Sequence, residues 1–459
     1  MDRTGKAEVL SDLPQKLHQR IKEHDQEQIL LFWDELTDQE QNEFVQQLES
    51  VDFVLLALLL QQPEDKQAGS IEPCSVSVLD ETYSEDGEKV IRSGELGVLT
   101  VAGGQGTRLG WSGPKGTFPA TPVTGKSLFQ VIAEQIVFAS VKYNVTIPWY
   151  IMTSSENDEA TRSFLLDNNC FGLDRTDIFI FVQGELPSVD TEGKILLVEK
   201  NKIAMSPDGH GGVIAAMKNS GALVEMESRG IKHLSYVQVD NPLAHVIDPK
   251  FIGMHVSNDS SVEATSKCVK KTNPDERVGV FCKINGKTTI VEYIDLPKDK
   301  QLEKDEDGNL IFGAGSIAIH LFSTEFLQRV ADNLTWHKQF KKVPHISLEN
   351  GRTVDSETPN AYKFERFVFD VLPLAKKSLV VETDRSEEFA PIKNATGTDS
   401  PESSHFLQQQ RARRWLEIRG ISVPDSSVVE ISPLSADSPH DLKEDILSEK
   451  IGDDEKVSF

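Results

Sequence analysis

Between Leu96 and Gly116 an apolar run empties into a turn made largely of glycine, and two cations follow at once. Leu96–Ala102 reads as a buried strand; Gly103, Gly104 and Gly106 come next, then Arg108, and then Gly113-Pro114-Lys115-Gly116. A strand ending this way confines the chain to folds whose strands deliver loops to a common edge, where ligands are met. Glycine lets a backbone approach a ligand with no Cβ in the way. Successive N–H groups in such a loop make a concavity for anions, and Arg108 and Lys115 supply countercharge. The spacing is neither the G-x-G-x-x-G of a dinucleotide turn nor the Lys-Ser/Thr ending of a P-loop. It predicts a loop that holds a nucleotide phosphate in another way.

The same pattern recurs downstream. Leu96–Val101, Trp149–Met152, Ile178–Val182 and Leu234–Val239 read as strands, with helices at Val131–Ala139 and Val213–Met226 between them. Such alternation predicts a doubly wound α/β sheet. The unusual residues stand where these strands end: Gly103-Gly104, Thr153-Ser154, Gln183-Gly184 and Asp240-Asn241. Val278–Ile284 and Thr288–Tyr293, joined through Asn285-Gly286, read as a β-hairpin. Three domains are expected: an N-terminal helical region over 1–92, a catalytic domain over 93–385 and a C-terminal domain over 386–459. In the first, Ile29, Leu30, Phe32, Trp33 and Leu36 recur at helical intervals, and Thr37-Asp38-Gln39-Glu40 is a capping box opening the next helix. In the last, Arg411–Arg419 reads as helix, Ile421–Val423 and Val428–Ile431 as strands, and the charged final twenty residues as frayed.

The chain has 459 residues, 48 Lys and Arg against 73 Asp and Glu, and a net charge of −25. That balance argues against nucleic acid and anionic membranes as partners, so an anionic substrate must be met by local cations. The longest apolar run, Phe53–Leu60, is too short to span a bilayer. Met1–Lys6 lacks the apolar core of a signal peptide. Cys74, Cys170, Cys268 and Cys282 show no C-x-x-C spacing, which predicts reduced thiols, no zinc site and a cytoplasmic protein.

Further residues suggest chemistry. Gln183 closes an apolar strand, and its amide presents a donor and an acceptor side by side, the edge needed to read uracil. Pro207-Asp208-Gly209-His210-Gly211-Gly212 is a second glycine-rich loop entering a helix, able to face a base or a phosphate; Asp208 as a helix cap is the plainer alternative. Asp240 ends a strand and can bind Mg²⁺, which takes carboxylates with phosphate oxygens and water; an Asx-turn is the plainer alternative.

Together these segments resemble the UDP-N-acetylhexosamine pyrophosphorylases. The likeness runs from about residue 25 to about 415. It is carried by Phe32–Leu36, Gly103–Lys115, Ile147–Ser154, Pro207–Gly212, Lys271–Pro274, Val291–Tyr293, Phe364–Asp370 and Phe389–Asn394. The resemblance implies an α/β, Rossmann-like (GT-A-like) nucleotidyltransferase fold. It has a central mixed sheet, an N-terminal helical region and a small C-terminal domain. It also implies a Mg²⁺-assisted reaction of UTP with N-acetylglucosamine 1-phosphate that gives UDP-N-acetylglucosamine and pyrophosphate, in a monomer or weak homo-oligomer. Carried over by position, Arg108, Lys115 and Lys393 are catalytic and Asp240 holds the metal. Gly103, Gly104, Gln183, Pro207, Gly209 and His210 hold the nucleotide. Asn241, Gly279, Glu292 and Ser316 hold the sugar. His210 and Ser316 depart from the family pattern, which has Asn at both. The histidine resembles the UDP-glucose enzymes, so glucose 1-phosphate or a broad range of sugar phosphates is the alternative substrate. A silent nucleotide-sugar-binding protein is the remote one, opposed by Arg108, Lys115, Asp240 and Lys393 occurring together.

Overall fold

The computed structural model describes residues 13–62, 69–443, 446 and 450–459. The reading of Met1–Lys6 lies outside those residues. The chain forms two compact units, and the smaller gathers N-terminal helices with Gly184–Gly212 and Thr335–Phe367.

In the smaller unit the capping box forms: the Thr37 N–H donates to Glu40 Oε2 at 2.8 Å and the Glu40 N–H to Thr37 Oγ1 at 3.4 Å. The helix it opens is Asp38–Ser50, and Phe53–Gln61 follows. The segment Ile29–Leu36 is not an α-helix but two 3₁₀ turns, Glu27–Leu30 and Trp33–Glu35. A three-residue repeat buries Ile29, Leu30 and Trp33 as a helix does, so the apolar spacing does not tell the two apart. Phe44, Leu48, Phe53 and Leu56 join Leu186, Ile195, Ile346 and Phe364 in one core. Buried Gln26 fastens the N-terminal segment to the 193–195 turn: Nε2 donates to the Gly193 carbonyl and Oε1 accepts the Ile195 N–H, both at 2.9 Å.

The larger unit is built on an eleven-stranded mixed sheet. Its strands in chain order are β1 (Ile71–Pro73), β2 (Ser77–Val78), β3 (Leu96–Val101), β4 (Trp149–Thr153), β5 (Ile178–Val182) and β6 (His233–Gln238). Then come β7 (Ala264–Lys270), β8 (Val280–Ile284), β9 (Lys287–Val291), β10 (Ala314–Ser323) and β11 (Ser378–Glu382). The neighbours β6, β3, β4 and β5 are all parallel. On the other side β7, β11 and β2 are parallel to one another, and β10 lies antiparallel between the two groups. Both faces are covered. Trp149 and Ile151 of β4 pack with Phe129, Ile132 and Ile136 of the helix Leu128–Tyr143, while Tyr150 and Met152 pack with Val213, Met217 and Met226 on the opposite face.

The hairpin forms as β8 and β9, with Asn285 at φ +52° and Gly286 at φ +75°, the paired positive φ of a tight type I′ turn. Residues 213–226 make two helices rather than one, because the chain breaks at Gly221 with φ +82°. No strand forms at Ile421–Val423. The final residues are not frayed throughout: Lys456–Ser458 pairs in parallel with Val428–Glu430, and Val457 and Phe459 pack against a core containing Leu416 and Val429. Two apolar side chains among the charges suffice to dock the tail. All four cysteines are free. Among the described residues no helix is long and apolar enough to cross a membrane.

Candidate active site

Because β6, β3, β4 and β5 are parallel neighbours, the loops after them emerge from one edge of the sheet. The glycine loop follows β3 and is braced from beneath. Fully buried Asn157 donates from Nδ2 to the carbonyls of Ala102 at 2.9 Å and Gly104 at 3.3 Å. Its Oδ1 accepts the Ser154 N–H at 2.8 Å. The Lys115 N–H donates to the Gly104 carbonyl at 3.0 Å, so the loop returns on itself and brings its lysine back to its glycines. Around Gly104 there is open space. At Gly103 a Cβ would stand 3.0 Å from Gln183 Nε2, so only glycine lets the loop pass that amide undisturbed. Arg108, on the turn Thr107–Leu109, is exposed and has no ion-pair partner among the described residues.

Lys115 Nζ reaches Asp240 Oδ2 at 2.8 Å, with 15% and 14% of the two side chains exposed. Burial pushes the Asp240 carboxyl up, but the ammonium groups of Lys115 and Lys393 outweigh it and hold it below the ordinary carboxylate range. Asp240 is thus a fixed anion, paired with Lys115 and within the electrostatic reach of Lys393. Lys393 stands over the Phe389 ring at 5.9 Å. It also faces Glu292, whose carboxyl is raised by burial and by Asp295 against the pull of Lys393. Glu292 Oε1 stands 3.4 Å from where a Cβ on Gly279 would be, and the Gly279 carbonyl accepts the Ser316 N–H at 2.8 Å. The structure therefore gathers Lys115, Asp240 and Lys393, sets Gly103 against Gln183, and sets Gly279, Glu292 and Ser316 side by side. Asn241 is different: its buried amide is turned to the backbone of Glu388 and Ala390.

Pro207, Gly209 and His210 belong to the smaller unit. Gly209 has φ +81°, and a Cβ there would meet the Arg366 carbonyl oxygen at 2.5 Å. His210 packs at 5.5 Å against the Phe367 ring, and burial pushes its pKa down to about 4, so it is neutral at pH 7. Buried Asp208 is ion-paired with Arg366, whose guanidinium lies 4.2 Å over the Trp336 ring. Burial nonetheless raises the Asp208 carboxyl against the pull of Arg366.

The sequence reading missed three supporting residues: Asn157, Arg366 and Asp399, whose carbonyl accepts the Lys393 N–H at 2.7 Å. Asn157 stands within one turn of the flagged Thr153-Ser154, and Arg366 within a block that resembles the family. A cleft of about 1090 Å³ in the larger unit, with Tyr143, His245 and Arg414 among its lining residues, includes none of the predicted site residues. The site is recognised by its charges and loops rather than by cavity volume. Among the described residues no group of three or more His, Cys, Asp or Glu side chains forms a metal cage.

A parallel-strand edge that carries a glycine loop and a lysine–aspartate–lysine cluster defines a protein of the nucleotidyltransferase class. The sequence pattern described as UTP–glucose-1-phosphate uridylyltransferase matches residues 61–415, and the chain belongs to that family. UDP-N-acetylglucosamine diphosphorylase 2 of Arabidopsis thaliana is 36% identical over 467 residues, covering 94% of this chain and 91% of its own. UDP-N-acetylglucosamine pyrophosphorylase of Saccharomyces cerevisiae is 38% identical over 363 residues, or 76% of each chain. The crystal structure of the uridine diphosphate N-acetylglucosamine pyrophosphorylase from Trypanosoma brucei, solved with an inhibitor, matches with a TM-score of 0.78 at 27% identity and covers 96% of both chains.

Proposed function

We propose that the protein converts UTP and N-acetylglucosamine 1-phosphate to UDP-N-acetylglucosamine and pyrophosphate. The observation that carries this reading is Asp240 paired with Lys115 and held ionised by Lys115 and Lys393, in a family whose members in Arabidopsis and yeast bear the names of that activity.

The nucleophile is an oxygen of the sugar phosphate, already ionised at neutral pH, so no strong general base is required. That oxygen attacks the α-phosphorus in line. A new P–O bond forms while the bond to the oxygen bridging α and β breaks, and pyrophosphate leaves with the electron pair. Catalysis then consists of positioning and of neutralising crowded negative charge. Gly103 and Gly104 hold the nucleotide through their backbone, Arg108 and Lys115 take the triphosphate, and Lys393 takes the phosphate of the sugar. Gln183 reads uracil, with Pro207, Gly209 and His210 as further nucleotide contacts. Gly279, Glu292 and Ser316 hold the sugar. Asp240 fits a magnesium ion: a single carboxylate, kept ionised, is a donor set that Mg²⁺ completes with phosphate oxygens and water. When bound, the ion supplies further neutralisation of the triphosphate. The four free cysteines suit a reducing, cytoplasmic compartment.

A second reading, glucose 1-phosphate or a broad range of sugar phosphates, is favoured by His210 and Ser316, which stand where the resembled family has asparagine. Pyrophosphate release from UTP and Mg²⁺ over a panel of sugar 1-phosphates tests both. Fastest turnover with N-acetylglucosamine 1-phosphate supports the first reading, and fastest turnover with glucose 1-phosphate replaces it with the second. No turnover with any sugar, or no affinity for UTP or UDP-sugars by calorimetry, overturns both.

A further inference from the structure

Two buried side chains hold the backbone of Ala390 from opposite ends. Asn241 Oδ1 accepts the Ala390 N–H at 3.0 Å, and Ser404 Oγ donates to the Ala390 carbonyl at 2.7 Å. Asn241 Nδ2 also donates to the Glu388 carbonyl at 2.7 Å, and its Oδ1 accepts the Leu243 N–H at 3.3 Å. Two residues on, the Ile392 N–H donates to the Asp240 carbonyl at 2.8 Å. The N–H groups of Lys393 and Asn394 both donate to the Asp399 carbonyl, at 2.7 and 3.0 Å. Asp399 sits at φ +57°, a left-handed conformation that a non-glycine residue adopts only where its surroundings hold it there. The segment that carries Lys393 is thus tied on one side to the loop carrying Asp240. On the other it is tied to the helix Pro401–Ile418, which contains Ser404.

An asparagine amide has two N–H donors and one oxygen with two lone pairs. In Asn241 both lone pairs and one N–H are spent on backbone, and the residue is only 6% exposed. We propose that Asn241, with Ser404, is a positioning residue that sets Lys393 against the reacting phosphates, and not a ligand of the sugar. This rests on the reading of Lys393 as a cation acting on those phosphates. Displacement of such a group by about 1 Å costs on the order of 10²-fold in rate, so a fastening three residues away governs turnover.

The test is steady-state kinetics of Asn241→Ala, Ser404→Ala, Lys393→Ala and the two doubles with Lys393→Ala, each with two sugar 1-phosphates that differ in their hydroxyls. In each clamp variant kcat falls about tenfold or more, KM for UTP stays within about twofold, and the loss is the same for both sugars. Neither clamp substitution adds more than about twofold to the loss of Lys393→Ala, because residues that act as one unit are not additive. Losses that multiply, or an Asn241→Ala loss that follows the sugar, overturn the proposal. If Asn241→Ala does not fold, Asn241→Asp, which keeps the acceptor oxygen and lacks the donor, takes its place. Amide hydrogen exchange over residues 388–394 reads the clamp without turnover: it is slow in the unmodified chain and faster in each clamp variant, and unchanged exchange overturns the clamp. Full turnover in Lys393→Ala, or none in the unmodified chain, defeats instead the functional reading on which the proposal stands.

Discussion

Lys115 Nζ lies 2.8 Å from Asp240 Oδ2, a pair joined across 125 residues of sequence. It links the glycine loop after β3 to the loop after β6. In a chain of net charge −25 the global field repels a triphosphate, and attraction depends on cations gathered locally. Asp240 takes part in that gathering, because its ionised carboxylate pairs with Lys115 and offsets the repulsion between that ammonium group and the charge of Lys393 in a partly buried place.

Removing Arg108 or Lys393, two cations assigned to the substrate phosphates, is therefore expected to cost rate more than stability. Arg108→Ala and Lys393→Ala are each expected to lower kcat on the order of 10²–10³-fold, the typical loss of one preorganised charge-stabilising donor. Arg108 is exposed and has no ion-pair partner among the described residues, so the melting temperature of its variant should stay within about 1 °C, as for ordinary surface changes. Kinetics and calorimetric melting on the same preparations check both halves, and near-normal kcat contradicts the assigned role.

Asp240→Asn keeps the size of the side chain and removes its charge. The magnesium concentration for half-maximal turnover should rise about tenfold or more, as when a ligating carboxylate is lost, while chelation with EDTA should stop the unmodified enzyme outright. A magnesium titration of both proteins decides. An unchanged midpoint means that Asp240 serves only to pair with Lys115.

The placement of the site was legible in the sequence to the extent that it depends on local pattern. Apolar runs at Leu96, Trp149 and Ile178 match strand limits within a residue; the first two strands are buried on both faces, and such parallel strands are continuous apolar runs. The glycine loop and Asp240 followed as strand ends. What periodicity does not carry is long-range closure. Nothing local to Asn157 says that its amide braces Ala102 and Gly104, and nothing local to Gly184–Gly212 or Thr335–Phe367 says that they share a core with the N-terminal helices. Asn241 shows the same limit, since its hydrogen bonds to the backbone of Glu388 and Ala390 join residues 147 and 149 apart in sequence.

Gln183 tests the base-reading half of the site. The residue is 9% exposed, and its amide lies so close to Gly103 that a Cβ on that glycine would stand 3.0 Å from Nε2. Gln183→Ala should weaken UTP by about 2 kcal/mol, roughly thirtyfold, the net worth of two hydrogen bonds between uncharged groups. Affinity for the sugar phosphate should stay unchanged. Calorimetric titration with each ligand separately checks this, and equal losses for both point to a general disturbance of the loop.

Glu388, whose carbonyl Asn241 holds, belongs to a buried ion triad. Lys267 Nζ donates to Asp248 Oδ2 at 2.7 Å and to Glu388 Oε1 at 2.6 Å. Burial works against the Lys267 charge, but Asp248 and Glu388 outweigh it and raise the pKa of the lysine. Lys267→Met leaves two buried carboxylates uncompensated and should cost about 3–5 kcal/mol, the usual result of breaking a buried pair from one side. Denaturant titration measures it. A cost under about 1 kcal/mol, typical of exposed pairs, means that water reaches the triad.

His210 is the position where the proposed substrate preference and the pH dependence of stability are tested together. Burial holds its pKa at about 4, well below the unperturbed value of about 6.5, so folding favours the neutral ring. A depressed histidine contributes its stability in full above pH ~6.5 and loses it as pH falls toward the folded-state value. The stability of the unmodified protein should therefore decline between pH 6.5 and 4 with a steeper slope than that of His210→Asn, by up to about one proton; denaturant midpoints at half-unit pH steps measure this. The same substitution restores the residue expected from the family resemblance, so it should shift the kcat/KM ratio of N-acetylglucosamine 1-phosphate to glucose 1-phosphate upward. A ring that is already neutral at pH 7 makes that shift a matter of shape and hydrogen bonding rather than charge. The ratio should accordingly be the same at pH 7 and pH 8, and a ratio that follows pH between those values shows the ring titrating there, contrary to its burial.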